Sequence, residues 1–142
     1  MIYHAQCACG AVKIEAEGEP VIQCYCHCNR CRSFTGAPVN AVALWPRAAV
    51  RVVEGADAVR PSRTAEGSEG GRTFCGQCGG ALGCDLPAIG MVDIFAGLVP
   101  ALEFAPTMHL NYENAVLRIA DGLPKLRDMP ERSGGSGEVL PE

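Results

Sequence analysis

The chain has 142 residues, nine cysteines and a net charge of -4 at pH 7. This length fits a single domain with a modest core. The net negative charge argues against a groove that binds nucleic acid or a surface that binds anionic lipids. No apolar run approaches the roughly 18 residues of a membrane span. The first residues, MIYHAQCACG, lack the basic and apolar regions of a secretory signal. We therefore expect a cytoplasmic protein that binds neither nucleic acid nor membrane.

Short apolar runs between glycines and prolines predict strands along most of the chain. The segment AVKIEAE alternates, with Val12, Ile14 and Ala16 on one face, as in a half-buried strand. EGEP then predicts a turn into the strand VIQCYC, and NRCRSF suits one helical turn. Further predicted strands, in order, are VNAVALW, AVRVVEG, GRTFC, GALGCDL, MVDIFAG, PTMHLNY and AVLRIAD. No segment keeps three turns of helical periodicity, so the sequence predicts an all-β fold.

The domain is predicted to cover residues 1–130. Beyond Pro130 the chain reads ERSGGSGEVLPE, which is rich in glycine and serine and has few apolar anchors. Such a segment buries too little to offset the entropy of ordering it. Residues 131–142 are therefore predicted to be a disordered tail.

The cysteines carry the chemistry. In a reducing compartment, nine thiols favour metal binding or redox chemistry over disulfides. The odd number also leaves at least one thiol outside any complete disulfide pairing. A secreted disulfide scaffold is the least favoured interpretation.

One set of four cysteines comes from two distant motifs. Cys7 and Cys9 form a C-x-C at the end of a strand-like segment, where residues two apart share a face. Cys75 and Cys78 form a C-x-x-C followed by two glycines. Four thiolates suit the tetrahedral preference of structural zinc. The alternative is two unrelated pairs of buried or redox cysteines.

A second set lies within CHCNRC, where Cys26, Cys28 and Cys31 form a C-x-C-x-x-C pattern. If the first set is complete, this one offers zinc three ligands and an open position, as catalytic sites do. Asn29 is predicted to cap a short helix that begins near Arg30. The alternative is a second structural zinc, closed by Cys24, His27 or a distant residue.

Other residues are weaker candidates. His27 alternates with the ligands, so we expect it to face away from the metal, at the surface or against a ligand. Arg30 and Arg32 flank Cys31 and suit a substrate carboxylate. Cys24 and Cys84 are expected to be inert buried thiols. His4 and His109 lie apart from the cysteine motifs and are expected to be structural.

Four segments together resemble the glutathione-dependent formaldehyde-activating enzyme family, which includes the centromere protein V group. They are CACGAVKIEAEGEP, CYCHCNRCRSFTGAP, RTFCGQCGGAL and IADGLPKL. The resemblance implies a β-tent fold of twisted antiparallel sheets with two zinc ions per chain. It assigns the structural zinc to Cys7, Cys9, Cys75 and Cys78. It assigns the catalytic zinc to Cys26, Cys28 and Cys31.

The resemblance also implies an activity. Glutathione would add to formaldehyde to give S-hydroxymethylglutathione, a carbon–sulfur lyase reaction in reverse, with a small thiol and an aldehyde as partners and a homodimer as a possible assembly. The family usually carries a tryptophan where this chain has NAVLRI, with Val116 near that place. Two other classes stay open: a zinc-stabilised binding module without catalysis, and a thiol–disulfide or sulfoxide reductase with Cys84 or Cys24 as nucleophile.

Overall fold

The computed structural model describes residues 1–63 and 69–142. In these residues the chain is mostly β, with one seven-residue α-helix, α1 (Asn29–Thr35), and several short 3-10 turns. The twelve strands are β1 (Ile2–Gln6), β2 (Lys13–Glu17), β3 (Ile22–Cys26), β4 (Asn40–Pro46), β5 (Val50–Glu54), β6 (Val59–Arg63), β7 (Glu69–Cys75), β8 (Ala81–Leu86), β9 (Met91–Phe95), β10 (His109–Leu110), β11 (Lys125–Leu126) and β12 (Val139–Leu140). The predicted all-β fold is confirmed. In the described part of the chain no helix has the length and apolar character needed to cross a membrane.

The chain packs as two compact units. The first contains Met1–Val21 and Ala43–Phe104, and the second contains Ile22–Val42 and Ala105–Glu142. In the first unit, β1, β2 and β5 form an antiparallel sheet in that order. The strands β9, β8, β7 and β6 follow one another in a second antiparallel arrangement.

The core of the first unit follows from strand alternation. On β2, Ile14 and Ala16 are buried, whereas the residues between them are partly exposed, as the pattern AVKIEAE predicts. Trp45 is fully buried, and its ring centroid lies 5.9 Å from that of Tyr3. The indole Nε1–H donates to the backbone oxygen of Gly18 at 2.8 Å, so burying this ring leaves no donor unsatisfied.

The second unit orders its strands β12, β11, β10 and β3. β10 runs parallel to β3, with His109 opposite Tyr25 and Leu110 opposite Cys26. The helix α1 begins directly after β3, and its N-cap is Cys28, whose Sγ accepts the backbone N–H of Cys31 at 3.3 Å. The prediction that Asn29 caps the helix is therefore wrong, because a cysteine sulfur takes the place of the usual oxygen.

The segment AVLRIAD does not form a strand, contrary to the sequence prediction. A 3-10 turn at Tyr112–Asn114 redirects the chain just before it. The backbone N–H of Ile119 then donates to the hydroxyl of Tyr112 at 3.1 Å instead of joining a ladder. Val116 and Leu117 are exposed as a result.

Residues 131–142, for which the composition predicts a disordered tail, are placed against β11. β12 pairs antiparallel with β11 through Val139 and Leu140. The Glu142 carboxylate accepts from the Gly122 N–H at 2.6 Å and from Lys125 Nζ at 3.0 Å. Ser136 also donates to the Asp128 carboxylate, and Glu138 pairs with Arg127, so polar contacts add to the short strand in anchoring this segment.

Candidate metal centres

Four cysteines of the first unit meet at one point. Cys7 and Cys9 follow β1, Cys75 ends β7, and Cys78 lies in the turn that leads to β8. The Sγ atoms of Cys7 and Cys9 are 3.6 Å apart, and those of Cys9 and Cys75 are 3.8 Å apart. All four sulfurs lie within 4.8 Å of one another. The sequence-predicted quartet is thus brought together; we call it the four-cysteine cluster.

These sulfur separations suit a metal ion. A tetrahedron with metal–sulfur bonds of about 2.3 Å has sulfur–sulfur edges of about 3.8 Å, close to the separations found here. A disulfide requires about 2.05 Å, and none of the nine cysteines forms one. The four-cysteine cluster therefore fits a tetrahedral cation and excludes the disulfide interpretation.

A turn, rather than a strand, brings Cys7 and Cys9 together. β1 ends at Gln6, and the backbone N–H of Gly10 donates to the Cys7 oxygen at 3.0 Å. Gly10 has a φ of 77°, a conformation that strongly favours glycine. The predicted shared strand face is therefore wrong, although the two sulfurs do converge.

Cys7, Cys9 and Cys78 have perturbed acidities. Burial raises the pKa of Cys7, but hydrogen bonds from the Val12 N–H and from neighbouring thiols outweigh it and lower the pKa to about 6. The Ala11 N–H lowers the pKa of Cys9, but hydrogen bonds with Cys7 and the other thiols raise it to about 11. Crowded thiols thus cannot all ionise without a cation among them.

Three cysteines of the second unit form the other cluster. Cys26 ends β3, Cys28 caps α1, and Cys31 lies in the first turn of α1. Their sulfurs also lie within 4.8 Å of one another. Hydrogen bonds with Cys28 and Cys31, followed by burial, raise the pKa of Cys26. We call this group the three-cysteine cluster.

The three-cysteine cluster has a lower ligand number than the first. Over residues 1–63 and 69–142, the group of possible ligand atoms contains these three sulfurs and neither Cys24 nor His27. Cys24 is fully buried, and Cys84, on β8, is nearly so. Three thiolates suit a divalent ion that keeps one position for another ligand.

His27 is fully buried, so the surface position considered for it is wrong. Its Nε2 lies 2.8 Å from Nδ1 of His109, and Nε2 of His109 lies 2.9 Å from Oδ2 of Asp121. Because the Asp121 carboxylate accepts a hydrogen bond from His109 Nε2–H, the Nδ1 of His109 accepts one in turn from His27 Nε2–H. Burial first, then the positive charge of neighbours, lowers the pKa of His27 to about 4. His27 is therefore held neutral, with its hydrogen on Nε2.

The chain of contacts ends at a buried lysine. The Lys125 side chain is fully buried, and its Nζ contacts Oδ1 of Asp121, the Leu123 oxygen at 2.9 Å and the Glu142 carboxylate. The hydrogen bond from Lys125 is the main cause that lowers the pKa of Asp121. Burial opposes the charge of Lys125, but both carboxylates outweigh it and raise its pKa.

The two arginines beside Cys31 differ. Arg32 is half-buried, and its Nε donates to the His27 backbone oxygen at 3.1 Å while its guanidinium also contacts the Asn29 side chain. Arg30 is exposed. Arg32 therefore supports the backbone between two cysteines of the three-cysteine cluster, and Arg30 presents its charge to solvent.

Sequence reasoning missed the chain from His27 to Asp121. His27 and His109 are 82 positions apart, and only the parallel pairing of β10 with β3 brings them together. The available signal was the segment IADGLPKL, which contains both Asp121 and Lys125. The family resemblance includes this segment but assigns no role to Asp121 or Lys125.

Comparison with known proteins supports this architecture. None of the curated proteins compared with the chain matches it. A crystal structure of a Rhodobacter sphaeroides protein from a structural genomics programme is 24% identical, with a TM-score of 0.53 over 70% of this chain and 90% of that one. That likeness shows a shared fold. A family model described as glutathione-dependent formaldehyde-activating enzyme matches residues 2–114. The match covers both cysteine clusters, and the chain belongs to the glutathione-dependent formaldehyde-activating enzyme family.

Proposed function

We propose that the protein is a zinc-dependent carbon–sulfur lyase that joins glutathione, or a related thiol, to formaldehyde or a related aldehyde. The observation that carries this proposal is the pair of cysteine clusters with different ligand numbers. The four-cysteine cluster supplies a complete tetrahedral set, whereas the three-cysteine cluster supplies one ligand fewer. The family membership gives the substrate class.

Zinc is the proposed metal at both clusters. Thiolates are soft ligands that favour zinc over magnesium or calcium, and four of them form a closed structural site. When bound at the three-cysteine cluster, zinc supplies a Lewis acid that favours the thiolate form of an incoming thiol. Cys26, Cys28 and Cys31 hold that ion, and the helix cap at Cys28 fixes the loop that carries them.

The proposed reaction is a simple addition. The glutathione sulfur forms a bond to the formaldehyde carbon while the carbonyl π bond breaks, and the thiol proton ends on the new hydroxyl oxygen. No electrons are gained or lost overall, so no redox partner is needed. Arg30 is proposed to orient a glutathione carboxylate, since its guanidinium is exposed beside Cys31. Arg32 is proposed to act indirectly, through the backbone oxygen of His27.

The reductase alternative is disfavoured by burial. Its two candidate nucleophiles are Cys24, which is fully buried, and Cys84, which is 8% exposed. A catalytic thiol must be reached by a disulfide or sulfoxide, and reactive cysteines lie in partly exposed surroundings. Neither residue belongs to a metal-binding group among the described residues.

Exchange NMR on a mixture of glutathione and formaldehyde tests the proposal. Zinc-loaded protein at micromolar concentration should accelerate interconversion of the free thiol and its S-hydroxymethyl adduct. Cys28→Ala removes a proposed zinc ligand and should reduce the acceleration by at least about 100-fold. Loss of a residue that only supports a metal ligand already costs up to that factor, and loss of the ligand itself should cost more. Equal acceleration by the variant, or none by the wild type, contradicts the proposal.

The same assay tests Arg30. Arg30→Glu should raise the KM for glutathione by about fivefold and leave kcat nearly unchanged, because a charge reversal at an exposed site changes binding by about 1 kcal/mol. Arg63→Glu, an exposed arginine of the first unit, is the matched control. An unchanged KM for Arg30→Glu removes this residue from the substrate site.

A further inference from the structure

Asn111 has an unusual backbone conformation. It is the one non-glycine residue with a positive φ in the described part of the chain, at φ 55° and ψ 39°. Side chains disfavour this left-handed region, and asparagine is among those that tolerate it best. Its N–H donates to the Asp128 oxygen at 2.8 Å, and its oxygen accepts from the Asn114 N–H at 3.0 Å. A disfavoured conformation held on both sides is typical of functional positions.

This conformation places the Asn111 side chain next to a cysteine of the three-cysteine cluster. Leu110 lies opposite Cys26 in the β10–β3 pair, and Asn111 directly follows it. The amide Nδ2 lies 3.8 Å from Sγ of Cys26 and 3.9 Å from Sδ of Met129. With a thiolate at Cys26, only the orientation that presents Nδ2–H is attractive, because the amide oxygen would repel the sulfur charge.

Backbone N–H groups donate to three other cysteine sulfurs. Cys7 accepts from the Val12 N–H and Cys28 from the Cys31 N–H, both at 3.3 Å, and Cys78 accepts from the Gly80 N–H at 3.4 Å. These donors are fixed by the fold. At Cys26 the donor is a side chain, so a substitution can remove it and leave the backbone in place.

We propose that Asn111 is a positioning residue that holds the Cys26 sulfur and reduces its donation of charge to the metal. Three thiolates on a divalent ion carry a formal charge of -1, which opposes the approach of a further thiolate. An N–H donor withdraws density from sulfur and lessens that opposition. The benefit for an incoming thiolate rests on the proposed function. The hydrogen bond from Asn111 to Cys26 does not depend on any reaction.

Two variants isolate the amide from the backbone. Asn111→Asp keeps the shape and the tolerance of positive φ but replaces the donor by a carboxylate beside a thiolate. Asn111→Gly removes the side chain and accommodates the backbone freely. Asn114→Asp, three residues away, introduces the same charge in the same turn and is the matched control.

The first readout is NMR on 15N-labelled protein loaded with 113Cd. The wild type should show a coupling between cadmium and the Asn111 side-chain amide protons, transmitted across the hydrogen bond and sulfur. The second is cobalt loading with competition by a chelator. Affinity at the three-cysteine cluster should fall by 10- to 100-fold in Asn111→Asp and about tenfold in Asn111→Gly. The sulfur-to-cobalt charge-transfer band should move to lower energy in both, while the four-cysteine cluster keeps its affinity.

Several outcomes overturn the proposal: no cadmium coupling to the Asn111 amide, a wild-type band and affinity in Asn111→Asp, or equal losses at both clusters. An equal effect of Asn114→Asp also overturns it, because charge alone would then explain the result. If the spectroscopic changes appear but no acceleration of glutathione exchange is found, the hydrogen-bonding role stands and the proposed reaction fails. The two proposals are therefore tested separately.

Discussion

Cys78→Ser is expected to destabilise the protein more than Cys84→Ser, although Cys78 is exposed and Cys84 is buried. By packing alone the order should be reversed, since exposed substitutions usually change the unfolding free energy by less than about 0.5 kcal/mol. Binding of structural zinc contributes about 10–16 kcal/mol in small zinc domains, which is as large as the whole stability of many proteins. Losing one of four ligands should therefore unfold much of the first unit.

Thermal unfolding followed by circular dichroism measures this difference, with metal content determined on the same samples. Cys78→Ser should lower the Tm by tens of degrees and lose close to one metal ion per chain. Cys84→Ser should keep both metals and lose only a few degrees. A Cys78→Ser protein as stable as the wild type would show that the four-cysteine cluster holds no structural metal.

Asp121→Ala is expected to cost up to about 3 kcal/mol, the low end for a broken buried ion pair, because the buried Lys125 loses one of its two carboxylate partners while Asp121 itself is partly exposed. Lys125 is fully buried and retains only Glu142 as a carboxylate partner in this variant. His109 also loses the acceptor that fixes its tautomer. The effect should be smaller than for a pair with no second carboxylate.

The double variant Asp121→Ala/Lys125→Met provides the control. Once the buried charge is removed, the loss should be clearly smaller than the sum of the two single losses, and urea unfolding of all four proteins gives this coupling. Additive losses would show that the pair is not coupled. In the wild type, the lowered pKa of Asp121 makes its contribution present above about pH 4 and lost as the pH falls toward that lower pKa. The raised pKa of Lys125 keeps its contribution below about pH 10, and a further rise in pH removes it.

The cysteine motifs are predictable from sequence because their ligands lie close together along the chain. C-x-C and C-x-x-C spacings allow few geometries, so the members of each motif follow from spacing even where the local structure does not, and the joining of the two distant motifs follows from the four ligands that zinc prefers. Cys7 and Cys9 illustrate this, since a turn closed by Gly10 brings them together in place of the predicted strand. The sequence pattern indicates which residues meet but not by which backbone path.

The surroundings of the three-cysteine cluster are not predictable in the same way. His27, His109 and Asp121 are joined by a parallel pairing of two-residue length, which leaves no periodicity in the sequence. The backbone of Asn111 depends on hydrogen bonds to Asp128 and Asn114, which again come from the tertiary fold. Alternation of side chains correctly directs His27 away from the sulfurs but does not reveal that it is buried.

We expect the three-cysteine cluster to hold a metal with room for an external thiol, and the four-cysteine cluster to have no such room. Addition of glutathione to protein with cobalt at both clusters tests this directly by optical spectroscopy. We predict a saturable rise in sulfur-to-cobalt absorption equivalent to one further thiolate per chain, absent in Cys28→Ala. A spectrum that glutathione leaves unchanged would show that both clusters are closed, and the protein would then be a zinc-stabilised domain without this chemistry.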